Sequence, residues 1–236
     1  MRLYYTEQGE GQAMVLLHGN GEDSTYFKNQ IGYFSSEYRV IAVDTRGHGR
    51  SPRGNRDFTL KQFARDLKLL LDELELKEII LLGFSDGGNI ALIFTLWHPE
   101  YVSRLILNGA NLTPWGVKLS DQLLICAGYV AVSFLNQFLP SLKRKKELLA
   151  LMVKEPWIDS RRLREINIPV LVIAGTKDII RTGHTKHICA MLPEGHLCLV
   201  EGSHFIAEEN SREFNREVTM FLKNIYNDGD NTKTGK

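Results

Sequence analysis

The sequence predicts an α/β fold: a mostly parallel sheet of about seven strands flanked by helices, with a helical cap inserted late in the chain. Two patterns carry that prediction. Short unbroken Val/Ile/Leu runs recur along the chain, and longer stretches with helical spacing separate them. Strands without polar alternation are those covered on both faces, which is the condition of a parallel sheet. A third pattern marks the insertion, because the alternation stops at Asn111 and resumes at Pro169.

Taken in order, Leu3 to Thr6 reads as an antiparallel edge strand, and Met14 to Leu17 and Arg39 to Val43 as buried strands. Ser24 to Phe34 between them has helical spacing. Thr59 to Leu74 places Leu60, Phe63, Leu67, Leu70, Leu71 and Leu74 on one stripe, so it should be a helix lying on the sheet. Glu78 to Leu82 and Arg104 to Leu107 are the next strands, with a helix over Asn89 to Trp97 between them. The 57 residues from 112 to 168 hold helical patterns at Leu119 to Leu139, Leu142 to Lys154 and Ser160 to Ile166, without a convincing strand. Pro169 to Ala174, Leu197 to Val200 and a helix over Ala207 to Tyr226 complete the core. One domain is therefore expected over 1–225, with core 1–111 and 169–225 and cap 112–168; 226–236, which has no apolar anchor, is expected to be a disordered tail.

Composition narrows the partners. Lys plus Arg number 29 and Asp plus Glu 28, a formal charge of +1, so no polyanion footprint for nucleic acid is expected. That near-zero sum hides two unlike parts: nine basic and five acidic side chains fall between residues 112 and 168, which leaves the cap positive and the core negative, an arrangement expected to draw the two together. Three widely spaced cysteines without CxxC suggest reduced thiols rather than disulfides or thiolate zinc. The longest mostly apolar stretch, Leu123 to Leu135, is 13 residues, too short to cross a bilayer of about 30 Å. A cytoplasmic protein with no membrane partner and a small-molecule substrate is the resulting expectation; composition is silent on oligomeric state.

The chemistry lies in four segments, each directly after a strand. Gly83-Phe84-Ser85-Asp86-Gly87 joins a strand to a helix, and a GxSxG there reads as a nucleophile elbow that exposes Ser85 on a strained turn. His18-Gly19-Asn20-Gly21 can aim a backbone N–H at a developing oxyanion; the expected donors are the N–H groups of Asn20 and Asp86. Gly175-Thr176-Lys177-Asp178 and Gly202-Ser203-His204 bring a carboxylate and an imidazole to the same edge of the sheet. The chain order Ser85, Asp178, His204 is one of three unrelated orders of the serine-hydrolase triad.

On these residues the chain resembles the α/β-hydrolase superfamily over about residues 3 to 225, and Asp44-Thr45-Arg46-Gly47-His48-Gly49-Arg50-Ser51 matches its D-x-R-G-x-G-x-S loop. The resemblance implies an α/β-hydrolase fold of eight strands with the cap after the sixth; here the first appears absent, so about seven are expected. It implies no cofactor, and a structural role for Arg46 and His48. Gly-x-Ser-Asp-Gly-Gly, Gly-Thr-Lys-Asp and Pro193-Glu194-Gly195 further resemble the valacyclovir hydrolase (biphenyl-hydrolase-like) branch, where the Asp after the nucleophile recognises an α-amino ester. The expected activity is hydrolysis of carboxylic esters with small or medium acyl groups through an acyl-enzyme on Ser85, with α-amino acid esters as a special case. C–C hydrolysis of ring-cleavage products is an alternative, lowered by Phe84 and Phe205 where that branch usually has Asn and Trp; a ligand receptor on the same fold is another. Asp86, Phe84, Trp115 and Trp157 are the candidate substrate contacts. His184 and His187, spaced i, i+3, read as a solvated helix face, and no metal site is expected.

Overall fold

The computed structural model describes residues 1–224. The proposed tail, and the predicted end of the last helix at Tyr226, lie outside the described residues. Seven strands form one sheet: β1 Tyr5–Gln8, β2 Ala13–Leu17, β3 Arg39–Val43, β4 Ile79–Phe84, β5 Val102–Asn108, β6 Val170–Gly175 and β7 Gly195–Val200. Their spatial order is β1-β3-β2-β4-β5-β6-β7, and every pair is parallel except β1 with β3. Every residue of β2, β4 and β6 is buried, as their uniform apolar sequences require when helices cover both faces. β7 at the sheet edge alternates in burial, because one of its faces is less covered.

The edge strand β1 starts two residues later than predicted. The Tyr4 N–H donates to Ser51 Oγ at 2.7 Å, so Tyr4 is held by the loop after β3, and the ladder runs on to Gln8, with Arg39 paired to Glu7.

Helices α1 Lys28–Phe34 and α8 Ser211–Leu222 cover one face; α2 Leu60–Glu73 and α3 Asp86–Trp97 cover the other. The predicted α2 stripe is the buried one, and Thr59 accepts the Gln62 N–H at 3.1 Å as its N-cap. Two predicted helices are broken. Ser24–Phe27 is a separate 3₁₀ turn started by Asp23, which accepts the Thr25 N–H at 2.9 Å, before α1 begins. The last predicted helix divides at Asn210, a non-helical residue (φ −126°, ψ 50°) between α7 Ile206–Glu209 and α8.

Between β5 and β6 the chain is helical, as expected: α4 Leu119–Leu135, α5 Lys143–Lys154 and a 3₁₀ turn Ser160–Glu165. α4 stops short of the predicted Leu139, which precedes Pro140 and is therefore kept out of helical geometry. α6 Thr182–Met191 links β6 to β7. Among the described residues no helix is long and apolar enough to cross a membrane.

Candidate active site

Ser85 sits between the end of β4 and the first residue of α3 with φ 53° and ψ −118°, a conformation that a non-glycine residue adopts only under constraint. The constraint is local. A Cβ on Gly83 would strike the Gly87 carbonyl, and one on Gly87 would strike the Leu17 carbonyl of β2, so both flanking positions must be glycine for the turn to close. The Ser85 N–H is anchored to the Asn108 carbonyl of β5 at 2.8 Å.

His204 follows β7 and is almost fully buried. Its Nε2 lies 3.0 Å from Ser85 Oγ and its Nδ1 2.7 Å from Asp178 Oδ1. With Nδ1–H donated to the carboxylate, Nε2 is left to accept the Ser85 proton, so the neighbour selects the tautomer. Asp178 follows β6, is buried, and also accepts the Ile180 N–H at 2.8 Å. Gly109 leaves room for the ring, since a Cβ there would lie 2.7 Å from His204 Cε1. The structure thus brings together the three residues that the sequence singled out, from the ends of three different strands.

The turn after β2 is held by two neutral histidines. His18 Nδ1 contacts the Gly19 carbonyl at 2.7 Å while its Nε2 accepts the Thr45 N–H at 3.0 Å; His48 Nε2 accepts the Gly21 N–H at 3.2 Å. Accepting requires an unprotonated nitrogen, and burial lowers both: His18 below its ordinary value, and His48 to about 4, with His18 adding to the effect. The loop after β3 is structural as expected. Asp44 accepts the N–H groups of Ser24 and Arg50, each at 2.7 Å, and Arg46 makes a buried two-pronged pair with Asp66 at 2.6 Å on both arms. Asp86 is the first residue of α3, so its N–H has no acceptor within the helix.

The Asp86 side chain is partly buried. Asn20 Nδ2 donates to Oδ2 at 2.9 Å and Asn89 Nδ2 to Oδ1 at 3.3 Å, and burial raises the carboxyl above its usual range despite those bonds. Among the described residues it has no ion-pair partner. The Asn20 amide also donates to the Leu148 carbonyl of α5 at 3.0 Å, which ties the turn to the inserted helices. The other candidate substrate contacts are placed differently. Phe84 is buried, stacked on Tyr26 at 4.5 Å between ring centroids and 4.8 Å from the His204 ring, so it packs beneath the elbow. Trp115 and Trp157 are 61% and 64% exposed, so neither is enclosed against Ser85 in this structure.

Two groups were not anticipated. Glu22, four residues after His18, accepts the Gly19 N–H at 3.2 Å, and burial raises its carboxyl to about 7. Its position in the turn was visible in the sequence, but its burial was not. His184 is not on a solvated face: its Nε2 accepts the Leu112 N–H at 3.0 Å where the chain leaves the core, and burial brings it down to about 4. Among the described residues no group of three His, Cys, Asp or Glu side chains could hold a metal ion.

Strained serine, buried imidazole and carboxylate at the carboxyl edge of a parallel sheet define a class. The sequence model of the alpha/beta hydrolase fold matches residues 12–149, more than half of the chain, and the chain belongs to that family. Among its relatives is the serine hydrolase BPHL of Homo sapiens, 30% identical over 252 residues that span 94% of this chain and 84% of the human protein. The 3-oxoadipate enol-lactonase 2 of Acinetobacter baylyi is 26% identical over 92% of this chain and 90% of its own. A bromoperoxidase structure from Bacillus anthracis superposes with a TM-score of 0.79 over 94% of this chain and 95% of that one, at 24% identity, a likeness of fold. The relatives support hydrolase activity on a small molecule.

Proposed function

We propose that the chain is a serine hydrolase of carboxylic esters with small or medium acyl groups. The observation that carries this reading is His204 bridging Ser85 Oγ and Asp178 Oδ1 through its two nitrogens. Ser85 Oγ attacks the acyl carbon while His204 Nε2 takes the hydroxyl proton. The N–H groups of Asn20 and Asp86 hold the oxyanion, the tetrahedral species collapses, and His204 returns its proton to the leaving alcohol. Water, deprotonated by His204, then attacks the acyl-enzyme and frees Ser85. Asp178 keeps Nδ1 protonated and stabilises the imidazolium. The helical segment 112–168 acts as a cap on the core 1–111 and 169–225, joined to it by the Asn20 to Leu148 bond, by Arg53 with Glu147 at 2.8 Å, and by the Leu60 N–H to Glu155 at 2.8 Å. The enol-lactonase relative, named for an acyl–oxygen substrate, fits this chemistry. A fluorophosphonate probe should label the protein stoichiometrically on the Ser85 peptide, read by mass spectrometry. An unlabelled protein, or an adduct elsewhere, would overturn the assignment.

A second, narrower reading takes α-amino acid esters as preferred substrates. It is supported by the partly buried Asp86 carboxylate, which has two amide donors and no cation among the described residues. An ammonium beside it would supply the missing charge, and charge-assisted hydrogen bonds of this kind contribute about 1.5 to 3 kcal/mol. Asp86→Ala should therefore raise KM for α-amino esters by about 10- to 100-fold while leaving matched neutral esters nearly unchanged. Equal losses for both series would show that Asp86 acts only as a structural group at the start of α3.

A further inference from the structure

Helix α4 leaves much of its apolar surface in the open. A helix that covers a core normally turns its apolar side inward. Along α4, Leu123, Ala127, Val130 and Phe134 fall at i, i+4, i+7 and i+11, one face of the helix, and all are exposed. Phe134 and Phe138 meet edge to face at 5.6 Å in the open, 60% and 69% exposed. The inward side mixes Ile125, Tyr129 and Val132 with polar Gln122, Ser133 and Asn136, and the buried oxygens Oε1 of Gln122 and Oδ1 of Asn136 have no hydrogen-bond partner among the described residues. Leaving such atoms unpaired opposes folding, while Leu123, Val130 and Phe134 bury little against the core. The observed orientation therefore makes sense if the apolar face is covered by something outside the chain.

The charge beside that face says what. Lys143-Arg144-Lys145-Lys146 opens α5, five residues beyond Phe138, with no acidic residue in the first turn. Cations at a helix N-terminus oppose the helix dipole, so their presence is unfavourable for the helix itself. Among the described residues no Lys or Arg of 112–168 forms an ion pair with a core carboxylate. Among the described residues the ion pair between the two runs the other way, core Arg53 to cap Glu147.

We propose that this outer face docks on an anionic phospholipid surface, α4 lying in the interface plane with Phe134 and Phe138 among the headgroups and the Lys143–Lys146 run against acidic lipid. An exposed apolar helix face flanked by a basic run is the pattern of interfacial association, which needs no spanning helix. A second copy of the chain fits less well. In a two-fold pair built on α4, parallel helices would set the two basic runs together, and antiparallel ones would offer each run of four cations a single carboxylate, Asp121, next to Lys118 of the other copy. This departs from the expectation that the protein has no membrane partner, which rested on the missing span and the near-zero overall charge. It stands independently of the ester-hydrolase reading, because its readout is binding.

The full chain should co-sediment with vesicles of equal phosphatidylcholine and phosphatidylglycerol, be released by high salt, and stay in the supernatant with phosphatidylcholine alone. Lys143→Gln/Arg144→Gln/Lys145→Gln should weaken vesicle binding by about 100-fold. Phe134→Ser/Phe138→Ser should weaken it by at least about tenfold, with the melting temperature of both variants unchanged. No sedimentation with either vesicle, or equal sedimentation with both, would overturn the proposal. So would a concentration-dependent dimer in analytical ultracentrifugation that Phe134→Ser/Phe138→Ser dissolves, with no vesicle binding by the wild type.

Discussion

Ser85→Ala should lower kcat on a p-nitrophenyl ester by about 10⁶-fold, and His204→Ala by a similar factor. The double variant should be little worse than either single one. The reason is geometric: with His204 Nε2 3.0 Å from Ser85 Oγ and nothing else in reach to take its proton, nucleophile and base act as one unit, and removing either leaves the other without a task. Some acceleration over water should survive all three changes, because the Asn20 and Asp86 N–H groups would still favour an oxyanion. Single-turnover kinetics on the purified variants check this. Losses that multiply, or a Ser85→Ala enzyme within tenfold of wild type, would mean that the pair is not the reacting unit.

The second large effect concerns the scaffold. Asp66→Ala should destabilise the protein by about 3 to 5 kcal/mol, a fall of roughly 6 to 20 °C in Tm for a chain of this size. Arg46 and Asp66 are both almost fully buried, and the guanidinium spends two arms on the carboxylate at 2.6 Å each. Removing the acid strands a cation in a dry interior, whereas Arg46→Met with Asp66→Leu should recover most of the loss, because neither charge then needs solvating. Differential scanning calorimetry of the three proteins separates the outcomes. If Asp66→Ala melts with the wild type, the pair contributes nothing to stability.

The sequence was most legible where one requirement dominates a segment. Uniform apolar runs such as Ala13–Leu17 and Val170–Gly175 can only be strands buried on both faces, and they place themselves in the parallel sheet. The elbow was legible because the positive φ of Ser85 and the close approach of the Gly83 and Gly87 backbones leave few alternatives to GxSxG. What stayed hidden depends on partners distant in the chain. His184 looks like a surface residue until Leu112, 72 positions away, is seen to donate to it. Glu22 looks like an ordinary turn carboxylate until burial brings it to about 7. α4 shows the same limit from another side: it has apolar residues around much of its circumference, so its sequence predicts a helix without saying which side meets the core. The break at Asn210 was missed because its neighbours on both sides are good helix formers, while its Nδ2 is drawn to the Glu201 carbonyl at 3.1 Å.

The side chain of Asn20 joins the core to the helices inserted between β5 and β6. Its amide holds Asp86 at the head of α3 and, with the same nitrogen, the Leu148 carbonyl of α5. Lifting α5 would leave that amide one acceptor instead of two, while His18, His48 and Glu22 would still hold the turn. A displacement of α5 would therefore be felt at Asp86, beside Ser85, through one shared nitrogen. One amide nitrogen thus serves as a joint between Asp86 and Leu148, which lie far apart in the chain.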